Sequence, residues 1–145
     1  MANNVGVFIS HSWKYSDHYE KLAEWIFETD WSVAGRGLNF SNSSIPESNP
    51  IHTSGSEIEL TREIRGRIYN SDVVVIPIGM YASHSRWIKL EVAAANEFHR
   101  PVLPVNPWGR ERKSKVAEAV GREPVGWQAK SVVNGIWKLS NLVRI

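Results

Sequence analysis

Apolar and polar positions along the chain switch repeatedly between a short, continuous apolar run and a helical spacing. Val5 to Ser10 (VGVFIS) is a β-branched and aromatic run that predicts a buried first strand. From Asp17 to Glu28, Tyr19, Leu22, Ala23, Ile26 and Phe27 recur at i, i+3, i+4, i+7 and i+8, an amphipathic helix that Ser16 or Asp17 can cap. Leu38 to Phe40 predicts a second, short strand. In Glu57 to Tyr69, Ile58, Thr61, Ile64 and Ile68 are expected on one helix face and the charges on the other. Asp72 to Ile78 (DVVVIPI) is the strongest strand pattern, with Pro77 placed at its end because proline cannot donate to a ladder. Arg86 to Phe98 reads as a helix capped by Ser85, Pro101 to Val105 as a fourth strand, Arg110 to Val120 as a basic helix and Val125 to Gln128 as a fifth strand. Lys130 to Leu142 closes the series as a helix with Val133, Ile136, Trp137 and Leu142 inward.

Five strands alternating with helices require right-handed parallel crossovers. The expected fold is therefore a single α/β domain over residues 1–145, a flavodoxin-like three-layer sandwich around a parallel five-stranded sheet of order 2-1-3-4-5. Ligands of such sheets bind beyond the carboxyl ends of the strands, at the switch point in strand order. This directs attention to Ser10–Trp13 after the first strand, to 41–56 after the second and to Gly79–Ser85 after the third. The 41–56 stretch is rich in Ser, Asn, Pro and Gly, and a loop that long in so small a domain is more often functional than accidental.

Composition narrows the chemistry. The 145 residues carry 17 Lys+Arg and 15 Asp+Glu, a formal +2. Residues 1–100 hold 9 basic and 12 acidic side chains, net −3, and the remaining 45 hold 8 and 3, net +5. That is too mild for a dedicated nucleic-acid binder, whose affinity comes from many phosphate contacts. With no cysteine, disulfides, cysteine-ligated metals and thiol nucleophiles are excluded. The five histidines lack metal-ligand spacing, so no metal site is expected. No apolar run reaches the roughly 20 residues of a membrane helix, and MANNVGVFISHS has no basic leader, so a cytoplasmic protein is expected. Gly35-Arg36-Gly37 is no dinucleotide fingerprint, there is no Walker sequence, and Val5–Ser12 lacks the carboxylates of a phosphoryl receiver. A triad of His11, Ser83 and Glu91 is conceivable, but no G-x-S-x-G elbow supports it.

Glu91 is the most informative residue. Ile88, Glu91, Val92 and Ala95 fall at i, i+3, i+4 and i+7, which sets a carboxylate on a core-facing stripe near the ligand edge of the sheet. Such a group must pair, stay protonated or face a cavity. The bland alternative is a marginal glutamate that bends to water or pairs with a basic neighbour. Ser10, His11 and Ser12 suit hydrogen bonding to ribose or phosphate, or simply form an exposed turn.

VFISHSW, the loop word SSIP, SDVVVIPIG and above all S-R-W-I-K-L-E (Ser85 to Glu91) resemble the TIR-like proteins of bacteria, and most closely the TIR subunit (ThsB) of the Thoeris anti-phage systems. The resemblance spans roughly residues 5 to 140. It implies an enzyme that breaks the nicotinamide–ribose bond of NAD and releases a cyclic ADP-ribose isomer, which activates a partner effector. NAD is then substrate, with no cofactor. Glu91 matches the family's essential glutamate. Ile88 stands where the family usually has Cys, and the loop carries Asn42 and Glu47 without the Asp and Pro-Gly of animal-type domains, so oligomer contacts do not transfer. Phe8, Ser10, His11, Ser43, Ser44, Tyr81, Ser83 and Trp87 are the expected lining of the NAD pocket. Further expected partners are a second copy of the chain and a phage protein trigger. The rival readings are a non-enzymatic TIR scaffold and a nucleoside deoxyribosyltransferase-like enzyme.

Overall fold

In a computed structural model the described residues are 3–10, 16–33, 36–44, 57–77, 85–106 and 124–144. Their elements run β1 (Asn3–Ile9), α1 (Ser16–Phe27), β2 (Trp31–Val33), β3 (Arg36–Asn42), α2 (Glu57–Tyr69), β4 (Val73–Pro77), α3 (Ser85–Glu97), β5 (Val102–Asn106), β6 (Val125–Gly126) and α4 (Ala129–Arg144). The basic helix expected over 110–120 lies outside the described residues.

The strands form one sheet of order β2-β3-β1-β4-β5-β6. Five of them are parallel in the order 3-1-4-5-6. The expected all-parallel sheet of five, ordered 2-1-3-4-5, is thereby corrected. An antiparallel strand, β2, pairs with β3 at the edge and takes the second place in chain order. Its three residues are too few to show a period of two. They are fixed instead by pairing with β3, from Trp31 opposite Leu38 to Val33 opposite Arg36, and by the Trp31 indole N–H, which donates to the Trp25 carbonyl at 2.6 Å. β3 also extends to Asn42, so the segment expected to be loop from Ser41 begins as strand.

The continuous apolar runs follow from a sheet covered on both faces. Val5, Val7, Ile9, Val73, Val75, Leu103 and Val105 turn to one side and pack with Leu22 and Ile26 of α1 and Val132, Ile136 and Leu139 of α4. Phe8, Val74, Ile76 and Val102 turn to the other and meet Leu60, Ile64 and Ile68 of α2 and Ile88, Val92, Ala94 and Ala95 of α3. One residue departs from the expected α2 face: Ile58 is 71% exposed, and Leu60 is buried in its place. Residues 60, 64 and 68 advance only 40° per step, and position 58 falls well off that line. On α4, Val133 and Ile136 are buried as expected, while Trp137 is only half-buried.

The end of α3 aims the chain into β5. His99 has φ of 57°, the Arg100 N–H donates to the Ala95 carbonyl at 2.7 Å, and the His99 N–H donates to that of Asn96 at 3.3 Å. This is the double bond pattern of a left-handed helix terminus, with histidine in the place glycine usually takes.

Two helical glycines give opposite expectations. A Cβ on Gly66 would have nothing within 4 Å, whereas one on Gly135 would come within 2.9 Å of Leu103 Cδ1, in the core. Gly66→Ala is expected to stabilise by about 1 kcal/mol, from helix propensity alone. Gly135→Ala is expected to lose that gain to overpacking and destabilise by about 1–3 kcal/mol. Urea denaturation of the two variants checks both signs.

Candidate active site

The helical stripe of α3 points inward along its length. Ile88, Val92 and Ala95 are buried, and Glu91 among them is only 4% exposed. Its carboxyl therefore stands in an apolar layer between α3 and the sheet. Among the described residues no lysine, arginine or histidine reaches it. A glutamate bent to water does not fit that burial.

Among the described residues its partner is Ser10, which is 3% exposed and stands just past the carboxyl end of β1. β1 alternates, so Phe8 and Ser10 face α2 and α3 while Val7 and Ile9 face the other layer. The Ser10 N–H donates to the Val75 carbonyl of β4 at 2.8 Å, which places the residue at the β1–β4 junction where strand order reverses. Its hydroxyl donates to the Glu91 carboxyl. The other oxygen, Glu91 Oε2, is buried and has no hydrogen-bond partner.

Burial raises the Glu91 pKa from the ordinary 4.5 to about 7, against the smaller lowering effect of the Ser10 hydrogen bond. At neutral pH the group is divided between acid and carboxylate. It can accept hydrogen bonds from a ligand's hydroxyls at Oε2, or face a developing positive charge with little competition from water. Perturbed carboxyls of this kind cluster at functional sites.

Ser44 is 3% exposed and meets β1 one residue before Ser10, its Oγ accepting the Ile9 N–H at 2.8 Å. Phe8 is buried in the apolar cluster that includes Ile88 and Val92. Ser43 is half-buried, and its N–H donates to the Val7 carbonyl at 2.8 Å. It also lines a surface recess of about 390 Å³ with Arg62, Glu63, Gly66, Arg67 and Asn70. Neither Ser10 nor Glu91 lines that recess. His11, Tyr81 and Ser83 lie outside the described residues, as does the Trp87 side chain, whose backbone is one turn before Glu91 on α3. Among the described residues no three His, Asp or Glu side chains come together to hold a metal. No described helix is long and apolar enough to cross a membrane.

Arg67 escaped the sequence reading because its i,i+4 pairing with Glu63 looks like an ordinary solvated helix face. In the fold its Nη1 donates to the Ser44 carbonyl at 2.8 Å.

The family model described as Thoeris protein ThsB, TIR-like domain, matches residues 8–112, which include the end of β1, Ser10 and all of α3. The chain belongs to the ThsB TIR-like family. No curated protein matches it. Among solved structures, the chain resembles one described as a Clostridium botulinum CMP N-glycosidase, BcmB. The TM-score is 0.52 at 13% identity, over 94% of this chain and 98% of that one. At that identity the likeness speaks for the α/β fold of this ThsB-like domain.

The raised pKa has a consequence for stability. A carboxyl whose folded pKa lies above its unfolded one favours the fold at low pH, and that contribution is lost as pH rises through about 7. Glu91→Gln removes the ionisation. Its stability relative to the parent is expected to climb between pH 4.5 and 7 and level off above, a change of about 3 kcal/mol. Chemical denaturation of both proteins across that range measures it, and a difference independent of pH would contradict the assignment.

Proposed function

We propose that this ThsB-like domain is an enzyme that cleaves the N-glycosidic bond of a nucleotide, with Glu91 as its catalytic residue and NAD as its substrate. The observation that carries the proposal is a buried carboxyl with a free oxygen at the switch point of the sheet, held among the described residues by the Ser10 hydroxyl. Membership of the ThsB family and the likeness to a CMP N-glycosidase support the same class of chemistry.

The reaction fits what the residues can do. When the bond between the ribose C1′ and the nicotinamide nitrogen breaks, its electron pair leaves with the nitrogen. Nicotinamide departs neutral, and the ribose becomes an oxocarbenium ion. A carboxylate in a poorly solvated site stabilises that cation electrostatically, and Oε2 accepts from the ribose hydroxyls. Ser10 keeps the carboxyl oriented. An internal nucleophile of the ADP-ribose captures the cation to give a cyclic isomer, and water gives the open product. Phe8, Ser10, His11, Ser43, Ser44, Tyr81, Ser83 and Trp87 are proposed to line the substrate site. The cyclic product would activate a separate effector of the defence system, and assembly with a second copy or a phage protein would trigger turnover in the cytoplasm.

A nucleoside monophosphate is the second substrate class, supported by the likeness to the CMP enzyme. Release of free cytosine from CMP with NAD left intact would favour it. Base exchange on deoxynucleosides would point to the transferase reading. Absence of any cleavage by the assembled protein would leave a scaffold.

Incubation with NAD, with nicotinamide and ADP-ribose species followed by mass spectrometry, tests the main reading. The parent is expected to release nicotinamide, and Glu91→Gln to remain folded and lose at least ~100-fold of that rate. Because the carboxylate is the active form, the parent's rate is expected to fall as pH drops through about 7. Full turnover by folded Glu91→Gln would end the proposal.

A further inference from the structure

The β1–β3 ladder changes character one step before the site. The Ser43 N–H donates to the Val7 carbonyl in the ordinary way, at 2.8 Å. At the following step the Ile9 N–H is received by the side chain of Ser44, at 2.8 Å, in place of a main-chain carbonyl. β3 thus leaves β1 at Ser44, and a rotatable hydroxyl holds the residue that precedes Ser10.

Ser44 is itself held at two further points. Its N–H donates to Asn42 Oδ1 at 2.9 Å, and its carbonyl, no longer part of a ladder, accepts from Arg67 Nη1 at 2.8 Å. Arg67 Nε donates in turn to the Glu63 carboxylate one turn earlier on α2. A planar guanidinium bonded through two of its nitrogens fixes direction as well as distance, which a lysine ammonium cannot reproduce. From the β4 side, Ser10 is set by main-chain bonding to Val75. From the β3 side its neighbour depends on side chains alone.

We infer that Arg67 is a positioning residue for Glu91: by clamping the Ser44 carbonyl to α2 it sets the end of β1, and with it the point where the Ser10 hydroxyl meets the Glu91 carboxyl. The inference rests on the reading of Glu91 as the residue at the reacting bond. Arg67 itself touches no reacting atom. Its effect passes through Ser44, Ile9 and Ser10.

The test compares the parent with Arg67→Ala, Arg67→Lys and Glu63→Gln, by NMR-detected exchange of the Ile9 amide and by NAD cleavage as a function of pH. In Arg67→Ala the Ile9 amide is expected to exchange about tenfold faster or more, as the strand end opens locally. Its kcat is expected to fall ~10- to 100-fold with KM within ~3-fold, since a misplaced group loses transition-state contact before it loses binding. The acid limb of its rate profile is expected to move to higher pH, because the Ser10 bond lowers the Glu91 pKa. Arg67→Lys is expected to fall between the two. Should Arg67→Ala fail to fold, Arg67→Lys and Glu63→Gln carry the comparison. A folded variant with parental Ile9 exchange and a parental acid limb overturns the inference. If the parent cleaves no nucleotide, the enzymatic reading fails separately. Ile9 exchange and the pH dependence of stability, which reports Glu91 ionisation without turnover, then decide the positioning role by themselves.

Discussion

The structure turns on one carboxyl group kept away from water. Glu91 occupies a position that its helix would ordinarily give to leucine or valine, between Ile88 and Val92 and against the α2–α3 side of the sheet. Leaving such a group there is costly unless it is neutralised, paired or used. Among the described residues it is supported by the Ser10 hydroxyl, and one oxygen remains free. That combination is poor for stability and well suited to chemistry, because an unsolvated carboxyl acts strongly on whatever charge develops beside it.

The rest of the fold explains why the group sits where it does. Two apolar layers close both faces of the parallel sheet, so its centre has no freedom to shift register. β1, between β3 and β4, delivers Ser10 to the point where strand order reverses. α3 follows β4 and brings Glu91 back over that point. Serine and glutamate thus come from elements that neighbour each other in space through the crossover, although 81 positions separate them in sequence. The edge of β1 is less rigidly built, since Ser44 and Arg67 do there what backbone does elsewhere.

What was legible in the sequence divides along physical lines. The stripe containing Glu91 could be read because burial on a helix repeats with the helix, and a polar residue in the repeat stands out. The parallel α/β sheet followed from the alternation of apolar runs with helical stripes, whereas the expected order 2-1-3-4-5 gave way to 3-1-4-5-6 once β2 entered at the edge. β2 could not be read, because three residues are too few for periodicity and Trp31–Val33 is held by pairing with the adjacent β3 rather than by a buried stripe of its own. Ile58 shows the limit of pattern within a helix: several apolar residues compete for one face, and the packing chose Leu60. Ser10 and Ser44 were legible as candidates from their place at strand ends. The role of Arg67 was not, since nothing local distinguishes an arginine paired with Glu63 in water from one that also reaches the Ser44 carbonyl.

The most direct measurement is a titration of the Glu91 carboxyl itself, by carbon-13 NMR of protein labelled at glutamate, with the Glu91→Gln spectrum identifying the resonance. A buried group with one free oxygen and one serine partner is predicted to titrate with a midpoint near 7. A midpoint at the ordinary 4.5 would show a solvated or paired carboxylate and contradict the account.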